Sequence, residues 1–371
     1  MSMDTGQNTL TEAAAASLAG PPAGIDGHHA GPAHCRCNGS GRRVFPRRVL
    51  LRNHQCPGDV LMLTAAVRDL FRATGGEVEI SVETSCPALW ENNPYITPRR
   101  DGSDEEEECL VIDCEYPAIH QSNAAPYHFI HGFARHLEEE LGLRIPLTEF
   151  RGDIHISDLE KGWMSQIEEM GIRDNFWILI AGGKYDFTAK WWDPIRFQRV
   201  VDHFRSRITF VQCGERGHWH PPLDGVINLI GKTDLRQFIR LVYHSTGVVC
   251  PVTFAMHAAA AVPVKPGQPP GRACVVVAGG REPAHWEAYP NHRFLSTQGS
   301  LTCCAAGGCW KSRCQPVGDG DFKDAGQLCE LPVQLNPDLR IARCMDLIGA
   351  DDVIRAIESY YAGGLRRYND C

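Results

Sequence analysis

Carboxylates, a lysine and a set of thiols stand in this chain at positions where an α/β protein places its chemistry. Asp59 follows Pro57-Gly58 at the mouth of a helix, just after a short apolar strand, Arg48-Val-Leu-Leu51. Such a strand-to-helix loop lies at the carboxyl edge of a sheet, where ligands bind. A carboxylate there can act as general base on a hydroxyl, or it can simply cap the helix. Lys190, within Lys190-Trp191-Trp192, precedes a second helix; Glu215 follows a strand; Thr253 opens an alanine-rich helix. A lysine beside helix N-termini with unpaired N–H groups makes a sound diphosphate site. A carboxylate such as Glu215 can accept two hydrogen bonds from ribose hydroxyls. Taken alone Lys190 reads as a surface lysine; the loops together point to a nucleotide-diphosphate ligand.

Cys303, Cys304, Cys309, Cys314, Cys329 and Cys344 are grouped around Gly307-Gly308 and Gly318 to Gly320. Thiolates on glycine-rich loops suit a four-coordinate structural site for zinc or iron, and free core thiols are the competing reading. Near the N-terminus His28, His29, His34, Cys35 and Cys37 carry ligand chemistry too, but within a stretch that reads as an unstructured tail. Arg281 to Tyr289 combines charged and aromatic side chains in a loop after a strand. That mixture suits sugar or base recognition, or a loop packed by Trp286 and Tyr289. His120, His128 and His131 could touch an acceptor; a hydrogen-bonded structural role is the plainer fate of each.

The elements that must position these groups follow from periodicity. Val60, Leu63, Val67 and Leu70 recur at helical spacing; Val78 to Val82 alternates like a strand; Cys109 to Asp113 is a short apolar run. Asp101 to Glu108 reads as a solvated acidic loop, and Phe129 to Leu141 as a helix. The alternation restarts with strands at 176–180, 208–212, 247–250 and 273–277. Between them Asp193-Pro194 opens a helix as N-cap and first helical residue, and Asp234 to Gln237 has the form of a capping box. Asp351 to Tyr361 is amphipathic and is expected to dock across the domain junction. Two runs of strand–helix alternation predict two doubly wound, Rossmann-like α/β domains facing a cleft. The expected division is a disordered tail at 1–44, an N-terminal domain at 45–165 and a C-terminal domain at 166–300. A Cys-rich insertion at 301–348 and a final helix at 349–371 complete it.

Composition narrows the classes. At 371 residues the chain exceeds one comfortable core. A net charge of −8 argues against a nucleic-acid partner. No run is apolar and long enough for a transmembrane segment, and the N-terminus lacks the pattern of a secretory signal, so a cytoplasmic protein is expected. In that setting the 16 cysteines read better as thiols or metal ligands than as disulfides.

Gly58-Asp59-Val-Leu-Met-Leu-Thr-Ala-Ala-Val-Arg-Asp-Leu70 resembles the opening motif of the heptosyltransferases, glycosyltransferase family 9. Lys190-Trp191-Trp192, Gly214-Glu215 and Thr253-Phe-Ala-Met256-His257-Ala-Ala-Ala-Ala261 are similar to that family's later motifs, in the same order. The resemblance covers residues 46 to 290 and the final helix. It implies a GT-B fold and an inverting transferase, with acceptor in the N-terminal domain and a nucleotide sugar, ADP-heptose first, in the C-terminal one. It further implies Asp59 as catalytic base and Lys190 as the charge opposite the diphosphate. Gly58, Trp192, Glu215, Thr253, Met256 and His257 would line the donor site. No catalytic metal is expected, because lysine and helix dipoles supply the charge. Glycan, lipopolysaccharide, lipid-linked and protein acceptors are all open, as is a homo-oligomer. Cys309-Trp310, Cys329 and Cys344 resemble the metal-binding finger of the autotransporter heptosyltransferases. That likeness makes Cys304, Cys309, Cys329 and Cys344 the expected ligands, Cys303 a substitute for Cys304, and the finger's role structural or interfacial.

One departure stands out: the family usually has an acidic residue before the threonine, and this chain has Pro251-Val252-Thr253. It favours a competing class, a non-catalytic nucleotide-sugar binder or metal-stapled assembly protein that kept the fold.

Overall fold

The computed structural model describes residues 36–37, 43–44, 46–98, 109–115 and 121–369. His28, His29, His34, Cys35, His120 and the acidic run at 101–108 lie outside the described residues, and most of the expected tail with them. Cys37 belongs to a short antiparallel pair, Arg36–Cys37 with Arg43–Val44.

In the N-terminal half, β1 (Arg48–Asn53), β2 (Glu79–Thr84) and β3 (Cys109–Asp113) form a parallel sheet in the order β2-β1-β3. Helix α1 (Pro57–Ala73) crosses from β1 to β2, and α2 (Ile130–Leu141) packs beside it. Every residue from Val60 to Leu70 is buried, far more than an amphipathic stripe requires. The buried polar side chains on α1 are therefore paired: Arg68 Nε donates to Asp69 at 2.9 Å and its guanidinium reaches the Glu149 and Arg151 carbonyls.

In the C-terminal half, β4 (Phe176–Leu179) is followed by α3 (Pro194–Phe204), β5 (Thr209–Gln212), β6 (Ile227–Asn228) and α4 (Leu235–His244). Then come β7 (Gly247–Pro251), α5 (Phe254–Ala261), β8 (Ala273–Gly279) and β9 (His292–Ser296). All six strands are parallel, in the order β9-β8-β7-β4-β5-β6. This is the doubly wound arrangement, and its strand order reverses between β4 and β7. Asp193 caps α3 through Ile195 N–H, and Asp234 with Gln237 forms the capping box of α4, as the sequence predicts. Gly247 is required by close approach: a Cβ there would lie 2.3 Å from the Trp177 ring.

The Cys-rich segment folds around a cation rather than around its glycines alone. Arg313 is fully buried, donating to Asp186 at 3.1 Å and to Asp319 at 2.7 and 2.8 Å, with Asp324 also in contact. The Gly318 to Asp321 turn supplies part of this cage. A hairpin, β10 (Pro332–Asn336) and β11 (Leu339–Ala342), completes the segment before α6 (Ala350–Ser359).

Two expectations are corrected here. Pro57 and Gly58 are the first residues of α1 rather than a turn, because the fixed φ of proline suits the first helical position. Cys56 is thus the N-cap, and Asp59 lies in the first turn, not at the cap. Nor does α6 bridge the halves: it packs on α3, β8 and β9, and the adjacent Tyr361 accepts from Trp177 Nε1 at 2.9 Å.

Candidate functional site

The two halves meet where their strand order reverses. Helix α1 starts after β1, the central strand of its sheet, and packs against α5, which starts after β7. The approach is close: a Cβ on Gly58 would sit 3.3 Å from the His257 ring. In front of this contact opens a cleft of ≈ 680 Å³ lined by Cys56 to Asp59 from one half and by the loops after β4, β5, β7 and β8 from the other.

Of the residues singled out by sequence, Gly58, Asp59, Lys190, Glu215, Thr253 and His257 all line this cleft. Trp192 and Met256 do not. The backbone at Trp191 is extended, which sends neighbouring side chains to opposite sides. Trp192 is fully buried in the core, with Nε1 donating to the Ile348 carbonyl at 2.9 Å. Trp191 faces the cleft instead, stacked on Trp219 with ring centroids 4.2 Å apart. Met256 is fully buried beneath α5. Among the loop histidines, His128 accepts from Ile130 N–H at 3.0 Å, and burial pulls its pKa down to about 4.

The loop after β4 begins at Gly182, whose φ of +118° suits glycine alone and where a Cβ would lie 2.0 Å from the Trp219 carbonyl oxygen. That turn delivers Lys184, whose ammonium donates to Cys56 Sγ at 3.3 Å across the cleft. Burial works against the Lys184 charge, but Cys56 and Glu215 outweigh it and raise its pKa. Further along, Lys190 Nζ lies 2.8 Å from Glu282 and 3.3 Å from the Val252 carbonyl oxygen. Thr253 is the N-cap of α5, yet its hydroxyl makes no cap bond and has no hydrogen-bond partner among the described residues. The cleft thus holds a lysine, a helix N-terminus and an unengaged hydroxyl side by side.

The loop after β8 supplies what sequence reading weighed without deciding. Arg281, Glu282, Trp286 and Glu287 all line the cleft, and Trp286 is also fully buried against Phe129. Glu282 is 1 % exposed; burial opposes its charge, but Arg281 and Lys190 hold its pKa below the usual value. Glu287 is the opposite case, with burial and then Glu282 pushing its pKa up to about 8. His257 is kept neutral by burial, its Nδ1 2.9 Å from the Tyr289 hydroxyl.

Cys303, Cys304, Cys309, Cys329 and Cys344 converge on one small cavity of ≈ 10 Å³, which Ala189, Gly280 and Arg281 also line. Within it the four cysteines expected as ligands are together, and Cys303 with them; Cys314 sits alongside, its free thiol hydrogen-bonded to that of Cys329. Among the described residues, no three His, Cys, Asp or Glu side chains are spaced as a formed metal site. The cavity and the cleft share Arg281, and Trp310 next to Cys309 belongs to the cleft wall. The Cys-rich segment thus contributes Trp310 to the wall of the cleft.

Among the described residues no helix is long and apolar enough to cross a membrane. No family model and no curated protein matches the chain. Solved structures do. A family 9 glycosyl transferase from Veillonella parvula superposes with a TM-score of 0.56 at 14% identity, over 84% of this chain and 96% of that one. TibC, a dodecameric iron-containing heptosyltransferase of E. coli solved with ADP-D-β-D-heptose, gives 0.57 at 15% identity over 88% and 79%. The E. coli ADP-heptose LPS heptosyltransferase II gives 0.51 at 13% identity over 84% and 98%. The two facing parallel sheets of this chain are the α/β fold shared by these glycosyltransferases.

Proposed function

We propose that this protein is an inverting glycosyltransferase that moves a sugar, heptose in the first instance, from ADP-heptose or a similar nucleotide sugar to a glycan, lipopolysaccharide or protein acceptor. The supporting observation is that Asp59 and Lys190, 131 positions apart in sequence, face one cleft from opposite sheets. Residues 45–165 would serve the acceptor and 166–300 the donor.

The chemistry follows from the placement. Asp59 takes the proton of the acceptor hydroxyl as its oxygen attacks the anomeric carbon. The bond from that carbon to the diphosphate oxygen breaks on the opposite face, and its electron pair leaves with the diphosphate. Lys190 and the amides at the start of α5 stabilise that departing charge, Thr253 donates to a phosphate oxygen, and Glu215 holds the ribose. Lys190 is already shared with Glu282, which offsets part of its charge and fixes its position.

By donor chemistry the cysteine cavity suits a soft, four-coordinate ion, since five sulfurs border one small space, although among the described residues no three of them are placed to hold one. Cys304, Cys309, Cys329 and Cys344 would hold zinc or iron, which when bound would cross-link the segment that carries Trp310. Cys303 is the spare donor.

The test is a panel of nucleotide sugars incubated with the purified protein, with and without candidate acceptors, reading free nucleotide. Acceptor-dependent release from one donor is expected. Binding of a donor with no release under any acceptor would instead favour the non-catalytic binder, the class that Val252 raises.

A further inference from the structure

Val252 cannot accept a hydrogen bond through its side chain, but a carboxylate stands next to it in space. Lys190 Nζ contacts both the Val252 carbonyl oxygen, at 3.3 Å, and Glu282 Oε1, at 2.8 Å. Glu282 thus arrives from the loop after β8 at the point the main chain of residue 252 also reaches. Glu287, five residues on, lines the same cleft. The charged and titratable groups that bear on it are Glu282, Lys190, Asp59 and Arg281, with His257 Nε2 3.4 Å from its Oε2.

Among the described residues, three oxygens in this wall are buried without a hydrogen bond: Thr253 Oγ1, Glu282 Oε2 and Glu287 Oε2, the last with only the His257 ring 3.4 Å away. Leaving such groups unpaired is costly, and three around one cavity mark where a ligand's own polar groups complete the set. The terminal torsion of a glutamate is soft, so a small rotation presents either oxygen to the cleft. The ionised Glu282 repels phosphate, and a protonated Glu287 offers it no positive charge. What they suit is a group rich in hydroxyls, lying between the Lys190 pole and Asp59.

We propose that Glu282 and Glu287 form the subsite for the hydroxyls of the transferred sugar, at the place where Val252 offers no hydrogen-bonding side chain. This rests on the transferase reading above and extends it to what selects the sugar. Glu282 accepts hydrogen bonds while anchored to Lys190 and Arg281. Glu287, uncharged at neutral pH, donates as well as accepts.

The experiment compares the affinities of ADP and of ADP-heptose, with ADP-glucose as second probe, for the full chain and its variants at neutral pH. Wild type is expected to prefer the sugar-bearing nucleotide. Glu287→Leu should lose about tenfold of that preference while ADP affinity stays within about threefold. Glu287→Gln, which keeps a donor and an acceptor, should retain it. Glu282→Gln should lose the preference yet bind ADP more tightly, because Lys190 is released to the diphosphate; a residue that only supports the fold would weaken both. An unchanged preference in both Glu287→Leu and Glu282→Gln overturns the subsite while leaving the transferase standing. If wild type binds neither ADP nor either sugar nucleotide, the transferase reading falls and the subsite with it.

Discussion

Lys190 is the side chain on which the charge balance of the cleft turns. Its partner Glu282 is buried and ionised, so the lysine is held in place before any ligand arrives. Replacing it should raise the barrier for loss of the diphosphate more than it weakens binding: Lys190→Met is expected to lower kcat by about 10²–10³, measured as nucleotide release at saturating donor. Glu287 makes a pH prediction. Its pKa is raised from 4.5 to about 8 by burial. The folded protein therefore binds a proton there that the unfolded chain has lost, and stability falls as pH rises from about 4.5 towards 8. Glu287→Gln removes that slope, so its melting temperature relative to wild type should be higher at pH 8 than at pH 5; an equal difference at both would contradict it. The cleft positions of Asp59 and Thr253 were legible in the sequence because each sits where a strand runs into a helix, and that of Glu215 because it follows the end of β5. Trp192 was misassigned for Trp191, since the face a side chain takes on an extended stretch depends on what packs against it. Glu282 and Glu287 could be named only as part of a loop; their different charge states come from burial and neighbours distant in sequence.

At the scale of elements, apolar periodicity and caps located β1, α1, α2 and, in the second half, β4, α3, β5, α4, β7 and α5 within a few residues, while the two-residue β6 was too short to read. Strand β9 and the β10–β11 hairpin escaped, because His292-Arg-Phe-Leu-Ser296 and Pro332-Val-Gln-Leu-Asn336 carry few apolar residues and rely on partners for their pairing. Close approaches also escape sequence reading. Gly247→Ala would push a methyl into the Trp177 ring in mid-sheet, which should cost about 1–3 kcal/mol by overpacking, readable as a shifted midpoint in urea. Gly182→Ala combines a forbidden φ with a clash against the Trp219 carbonyl. It should loosen the loop carrying Lys184 and weaken nucleotide binding, checked by titration with ADP. The terminal helix α6 misled because an amphipathic stripe tells that a face is covered and not by which sheet.

For the whole molecule, the decisive feature is that loops from both sheets line one cleft, and that the cysteine cavity shares Arg281 with it. Purified under reducing conditions, the protein is expected to carry zinc or iron in stoichiometric amount, found by metal analysis, and Cys329→Ser should lower both that content and the melting temperature. Metal-free protein of unchanged stability would assign the cysteines to the core. The central claim is the division of labour across the cleft, and the comparison of Asp59→Ala with wild type tests it most directly. In the presence of donor and acceptor, turnover of the variant should fall by about 10² or more while its affinity for ADP stays within about threefold. Turnover that survives the loss of Asp59, with nucleotide binding intact, would contradict the account.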